Sequence, residues 1–289
     1  MKNIIIPTDF SEKSKEIIDY GIYLANQLDK QIEIIYVIDQ TIAKPFALEH
    51  EAIPTSVPDL KELAERAKTK LQELLKEIDR QFKKRPIIRV SIKSGLFSDV
   101  LVDLSQDETS FAILLPGQDE AGIYKSFLTG PKGKILKEAD CPVWIIPPDI
   151  QFTKPQTIIY VTDYKETDIE SLKKLSLLAK QFDSRIIALH ISENEDFTEE
   201  IKDLGFEDLA KRETGYEKIE IHSTTGKNDI ETINQFAKKE NADLIVMLEE
   251  NRGFLEEIFY SSTTRKLVLE TRFPVMIFHE DEHLISDDL

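Results

Sequence analysis

Gly117 and Gly130 stand thirteen residues apart in the stretch LLPGQDEAGIYKSFLTGPKGK, 114–134. An apolar run precedes the first glycine and a short helical pattern follows the second. Glycines placed this way between a strand and a helix let backbone amides approach phosphate oxygens, and the helix N-terminus adds aligned N–H groups. Two residues work against that chemistry. Glu120 sets a carboxylate inside the loop, and its repulsion of a poorly solvated phosphate amounts to about several kcal/mol. Pro131 removes a donor where the helix begins. Lys132 and Lys134 offer partial compensation. The alternative is that Gly117 and Gly130 are ordinary turn glycines.

Other residues could do chemistry only if the fold gathers them. Asp9 and Asp163 each follow an apolar run, and an aspartate there also serves as a strand-ending or turn-capping residue. HEDEH, 279–283, matches the metalloprotease pattern H-E-x-x-H letter for letter. That pattern needs a helix, so that both histidines share one face and the glutamate acts as base. Here it directly follows a closing strand pattern within an acidic tail, which reads as a solvated terminus. His50, His190 and His222 form no ligand spacing, and no Ser-His-Asp or Cys-His order stands out. The single cysteine, Cys141, precedes an apolar run and reads as a buried thiol.

The elements that must position these residues are written twice. At an offset of 154, Ile4, Ile5, Thr8, Asp9, Glu12, Glu16, Leu24, Ala25, Gln27, Asp29 and Ile32 recur as identical residues. CPVWIIP at 141 parallels FPVMIFH at 273, an offset of 132, so the second copy is shorter by 154 − 132 = 22 residues. The prolines of PPDIQFTKPQ, 147–156, mark the boundary. The expected domains are 1–148 and 155–282, with 283–289 an acidic tail. Each copy alternates apolar strand and amphipathic helix. Ser11 is the expected N-cap of a helix whose stripe is Ile17, Gly21, Leu24, Ala25 and Leu28. Leu60 to Phe82 carries a longer helical pattern. A Thr167-to-Glu170 capping box is expected to open the first helix of the second copy, and that copy's second helix, near 197–212, is expected to be much shorter.

Strand–helix alternation with continuously apolar strands predicts an α/β fold with parallel sheets covered on both faces. Ligands of such sheets bind beyond the carboxyl ends of the strands. The 289 residues carry 54 acidic against 37 basic side chains, a formal net charge of -17, which disfavours nucleic acid and anionic lipid as partners. No apolar run approaches the roughly 20 residues that span a bilayer, and the N-terminus lacks a signal-peptide pattern. A soluble, cytoplasmic protein is expected.

PTDFSE at the first strand, AILLPG before the loop and the closing CPVWIIP together resemble the universal stress protein family in its tandem form. The resemblance implies two tandem flavodoxin-like (Rossmann-like) domains with parallel five-stranded sheets, packed as a pseudo-two-fold dimer through their closing strands. A homodimer stays open as a further assembly. It also implies a nucleotide site. Family members that bind nucleotides share an aspartate after the first strand and a loop of glycine, two residues, glycine, nine residues, then glycine with Ser or Thr. Asp9, Gly117 and Gly130 match; Glu120 replaces the second glycine and Pro131 the hydroxyl residue. In the second copy Glu249 stands opposite Gly117, Arg252 opposite Glu120, and Ser262 and Thr263 opposite Gly130 and Pro131.

Three functional expectations follow. The first is a stress-response binding or regulatory module, not an enzyme, with a degraded nucleotide site and no required cofactor. The second is an ATP-dependent switch using Asp9, the backbone at Val37, Gly117 and Gly130. The third is a scaffold that docks a protein through segment 40–84, where Phe46 and Leu48 lie in a long loop.

Overall fold

The computed structural model describes residues 2–38, 60–117, 131–192, 197–226, 230–249 and 272–279. The chain forms two compact units. The first comprises Met1–Leu114 with Ala121–Ala139, the second Leu115–Glu120 with Asp140–Leu289.

In the first unit the strands are β1 (Asn3–Pro7), β2 (Gln31–Ile38), β3 (Ile88–Ser94) and β4 (Ser110–Pro116), the last two residues of β4 passing into the second unit. The helices are α1 (Glu12–Leu28), α2 (Leu60–Gln81), α3 (Phe97–Ser105) and α4 (Pro131–Glu138). The strand order is β3-β2-β1-β4, all parallel. Ser11 caps α1 as expected, its side chain accepting from the Ser14 amide, and Asp29 ends the helix in the left-handed conformation at φ 52°. The expected stripe of α1 is buried, as are Ala67, Leu71, Leu74 and Ile78 of α2.

The second unit holds β5 (Val143–Ile146), β6 (Thr157–Val161), α5 (Glu166–Phe182), β7 (Arg185–Ser192), α6 (Phe197–Thr214), β8 (Ile219–Thr225), α7 (Ile230–Lys239), β9 (Leu244–Glu249) and β10 (Val275–His279). Its order is β5-β10-β9-β6-β7-β8. All neighbours run parallel except β5 and β10, which pair antiparallel with Trp144 opposite Met276. The closing strands therefore pair as their apolar sequences predict. Each copy contributes five strands to the described residues, yet compactness divides them four and six, because β5 of the first copy belongs to the second unit.

Three expectations need correction. First, continuous burial holds for β1 and β4 but not for β3 or β8, which lie at the ends of their strand orders and are half exposed. Second, α5 does not open with a Thr167–Glu170 box. It starts at Glu166, and Asp168 Oδ2 accepts from the backbone amide of Lys165. Third, the second helix of the second copy is not much shorter: α6 has 18 residues against 22 in α2. Most of the shortening lies before the helix. Between Ile38 and Leu60 there are 60 − 38 − 1 = 21 residues, between Ser192 and Phe197 only 197 − 192 − 1 = 4. Phe46, Leu48 and the rest of the 39–59 connector lie outside the described residues.

Candidate functional site

The turn after β1 is built by its own side chains. The Thr8 amide donates to Ile35 O at 2.8 Å, prolonging the β1–β2 pairing by one step. Thr8 Oγ1 accepts from the Phe10 amide at 3.1 Å and bonds with Ser14 Oγ at 3.0 Å. Asp9 Oδ1 accepts from the Ser11 amide at 2.9 Å, which holds the chain into α1. Phe10 takes the left-handed conformation, φ 66°, and stacks on Tyr36 with centroids 4.9 Å apart. Lys70 Nζ lies 5.2 Å from the Phe10 ring. Pro7 pairs with Ile35, so Asp9 and Val37, each two residues on, occupy the same carboxyl end of neighbouring strands. Asp9 thus carries a turn-forming role in its own right.

Gly117, directly after β4, falls in the second unit. Its amide donates to Ile146 O at 2.6 Å. A Cβ there would sit 3.1 Å from Ile146 O and 3.2 Å from Pro147 Cα. Those neighbours are backbone and would have to shift by a few tenths of an ångström to admit a side chain, so close approach of the chain favours glycine at this position whether or not a ligand binds. Gly130, Glu120, Gly122 and the remainder of 118–130 lie outside the described residues. Pro131 is the first residue of α4, where a missing amide costs the helix nothing but deprives a ligand of a donor. Lys134 does not stand ready as a compensating cation. Its Nζ pairs with Asp99 at 2.9 Å and Glu138 at 3.6 Å, and the Asp99 hydrogen bond raises its pKa above the ordinary lysine value.

The second copy repeats the turn and elaborates it. The Thr162 amide donates to Leu189 O at 3.0 Å, and Thr162 Oγ1 accepts from the Tyr164 amide at 3.0 Å. Tyr164 is left-handed at φ 61° and stacks on His190, centroids 4.3 Å apart. His190 Nδ1 donates to Thr162 O at 3.0 Å, which fixes the proton on that nitrogen. The Tyr164 hydroxyl donates to Asp203 Oδ1, and Ser223 Oγ donates to the same oxygen at 2.7 Å.

Beneath the turn lies a buried carboxylate that sequence reasoning missed. Asp168 is 3% exposed and accepts four hydrogen bonds: from the Tyr160 hydroxyl at 2.7 Å, Thr162 Oγ1 at 2.8 Å, the Asp163 amide at 3.1 Å and the Lys165 amide at 3.0 Å. The 154-residue offset equates Asp168 with Ser14 and Tyr160 with Ile6. The signal available was this paired change, an acid and its donor appearing together at two positions that are apolar and small in the first copy.

Glu249 ends β9 opposite His279 of β10. His279 is buried in a strand, so it is not on the helix that H-E-x-x-H chemistry needs; the other four residues of that motif lie outside the described residues. Glu250, Arg252, Ser262 and Thr263 lie outside them too. Among the described residues no group of three or more His, Cys, Asp or Glu side chains is placed to hold a metal. Nor is any described helix long and apolar enough to cross a membrane.

Parallel strands with covering helices, and turns from successive strands presented at their carboxyl ends, define the class of open-sheet α/β binding domains, here in tandem. The chain belongs to the universal stress protein family, whose domain matches residues 1–147 and again 155–279. It is similar to a universal stress protein of Synechocystis, 25% identical over 297 residues, which covers 96% of this chain and all of the relative. It is similar over half its length to a universal stress protein of Methanocaldococcus jannaschii, 25% identical across 81% of that protein. A crystal structure of a universal stress protein from Archaeoglobus fulgidus shares the fold at a TM-score of 0.66 and 18% identity, with 96% of each chain covered.

Proposed function

We propose that the protein is a non-catalytic stress-response module whose first-copy nucleotide site has lost its phosphate half. The observation that carries this reading is the Gly117 amide, already spent on Ile146 O at 2.6 Å. The Glu120 carboxylate and the donorless Pro131 point the same way, and Lys134 is held by Asp99. Each lost hydrogen bond to a charged ligand costs roughly 1.5–3 kcal/mol, so two defects weaken a triphosphate by about two to four orders of magnitude. In the second copy the Tyr164–Asp203–Ser223 bonds tie the turn to α6 and β8. The protein acts in the cytoplasm, without bound nucleotide, through protein contacts.

Calorimetric titration with MgATP tests this. Wild type should show no binding tighter than about 100 μM, and the double substitution Glu120→Gly with Pro131→Ser should gain measurable affinity. Micromolar binding by wild type that disappears in Asp9→Ala would overturn the proposal in favour of a nucleotide switch using Asp9, Val37, Gly117 and Gly130.

A further inference from the structure

The two terminal parallel strands, β3 and β8, differ in how their open edges are treated. Along β3, the Ile32 amide donates to Ile87 O at 2.9 Å and the Gly95 amide to Ile38 O at 3.2 Å. Odd-numbered residues of β3 therefore bond to β2, and the main-chain groups of Ile88, Val90, Ile92 and Ser94 point away from it. Along β8, the Ile186 amide donates to Lys218 O at 2.8 Å and the Gly226 amide to Ser192 O at 3.0 Å, so Ile221 points outward. That outward amide is covered: it donates to Glu207 Oε2 of α6 at 3.1 Å. Among the described residues no group meets the outward amides of Val90 and Ile92.

The β3 edge is also chemically distinctive. Val90 is exposed, as are Ile87 before the strand and Leu96 after it. Arg89 and Lys93 are exposed, share one face by the register Glu33↔Arg89 and Val37↔Lys93, and make no ion pair among the described residues. Two free cations here, on a chain of net charge -17, select a partner. Antiparallel pairing of two β3 strands about Ser91 would set Arg89 against Lys93 of the other copy, a like-charge contact that disfavours self-association. The Glu207-covered β8 edge of a second copy is a poor occupant as well.

We propose that β3 is a docking edge for an extended acidic segment of another protein. The segment adds as a strand to the outward main-chain groups of Val90 and Ile92. Its carboxylates, four residues apart, lie about 13 Å apart along the strand and meet Arg89 and Lys93. This surface makes no use of the nucleotide-site residues.

The test uses the full chain and two fluorescein-labelled peptides of about nine residues, rich in Thr and Val, one with Glu at its third and seventh positions and one with Lys there. Fluorescence anisotropy should show the Glu peptide preferred by at least about tenfold, with the preference lost or reversed in the surface variant Arg89→Glu with Lys93→Glu. Binding should also slow hydrogen exchange at the Val90 and Ile92 amides. Equal binding of the two peptides, no binding of either up to about 1 mM, or Glu-peptide binding unchanged in the charge-reversed variant would overturn the proposal, as would unchanged exchange at those amides. None of these readouts depends on whether ATP binds.

Discussion

Asp168 shows how far residue types alone can be read. A carboxylate in a helical first turn looks like ordinary dipole compensation, and acidic side chains are seldom fully buried. Only geometry reveals the four donors converging on it. By contrast Ser11 and Asp9 were legible, because caps and turn bonds act within three residues of sequence. Truncation by Asp168→Ala strands two buried hydroxyl donors and two part-buried amides and should cost about 3 kcal/mol or more in urea denaturation. In a double-mutant cycle, Tyr160→Phe should cost less in an Asp168→Ser background than in wild type, with a coupling of about 1 kcal/mol. Asp19 makes the opposite prediction. It lines a cleft between α1 and α2, and its pKa is raised chiefly by burial and further by Glu77 and Glu16, against a hydrogen bond from Gln81 at 2.7 Å and the charge of Lys15. A carboxyl whose folded pKa lies above its unfolded value weakens the fold once both states are ionised. That penalty vanishes below the unfolded pKa. Asp19→Asn should therefore raise the thermal midpoint at pH 7, and the gain should fade as pH drops through the carboxylate range.

At the scale of elements, a period of 3.6 located the helices, because one face is buried, and short unbroken apolar runs located the strands, because a strand covered on both faces is buried at every position. The α2 stripe, from Ala67 to Ile78, is an example. What periodicity does not encode is position within a sheet. β3 and β8 carry β-branched residues as strands do, yet their half-exposed pattern follows from standing at an end of the order. The start of α5 was misplaced because Asp168, three residues past Lys165, supplies the cap in place of a Thr or Ser side chain. Gly117 belongs to this scale too, since it joins the end of β4 to the end of β5. Gly117→Ala should destabilise by about 1–3 kcal/mol with no nucleotide present, because the methyl group would crowd the backbone at Ile146 O and Pro147 Cα. Unchanged stability would mean that the glycine serves only a ligand.

For the whole molecule, the duplication was plain in the sequence, and so was the apolar character that makes β5 and β10 pair. The division into compact units was not, because which strand a closing segment joins depends on contacts far apart in sequence. Trp144, the single tryptophan, sits in the first copy yet is buried in the second unit, so its fluorescence should follow that unit's unfolding and shift its midpoint in Asp168→Ala. The placement of β5 also bears on what happens when the chain is severed. Residues 147–156 look like the natural place to cut the protein into independent halves. A cut there would nonetheless divide a strand pair, because β5, just upstream of it, pairs with β10, encoded downstream of it. A protease nick there should leave two fragments that co-elute and retain buried tryptophan emission, parting only under denaturant. A gene broken at the same point would yield two polypeptides that reconstitute one another on mixing, the upstream piece carrying the missing strand of its neighbour like a tongue cut for a groove.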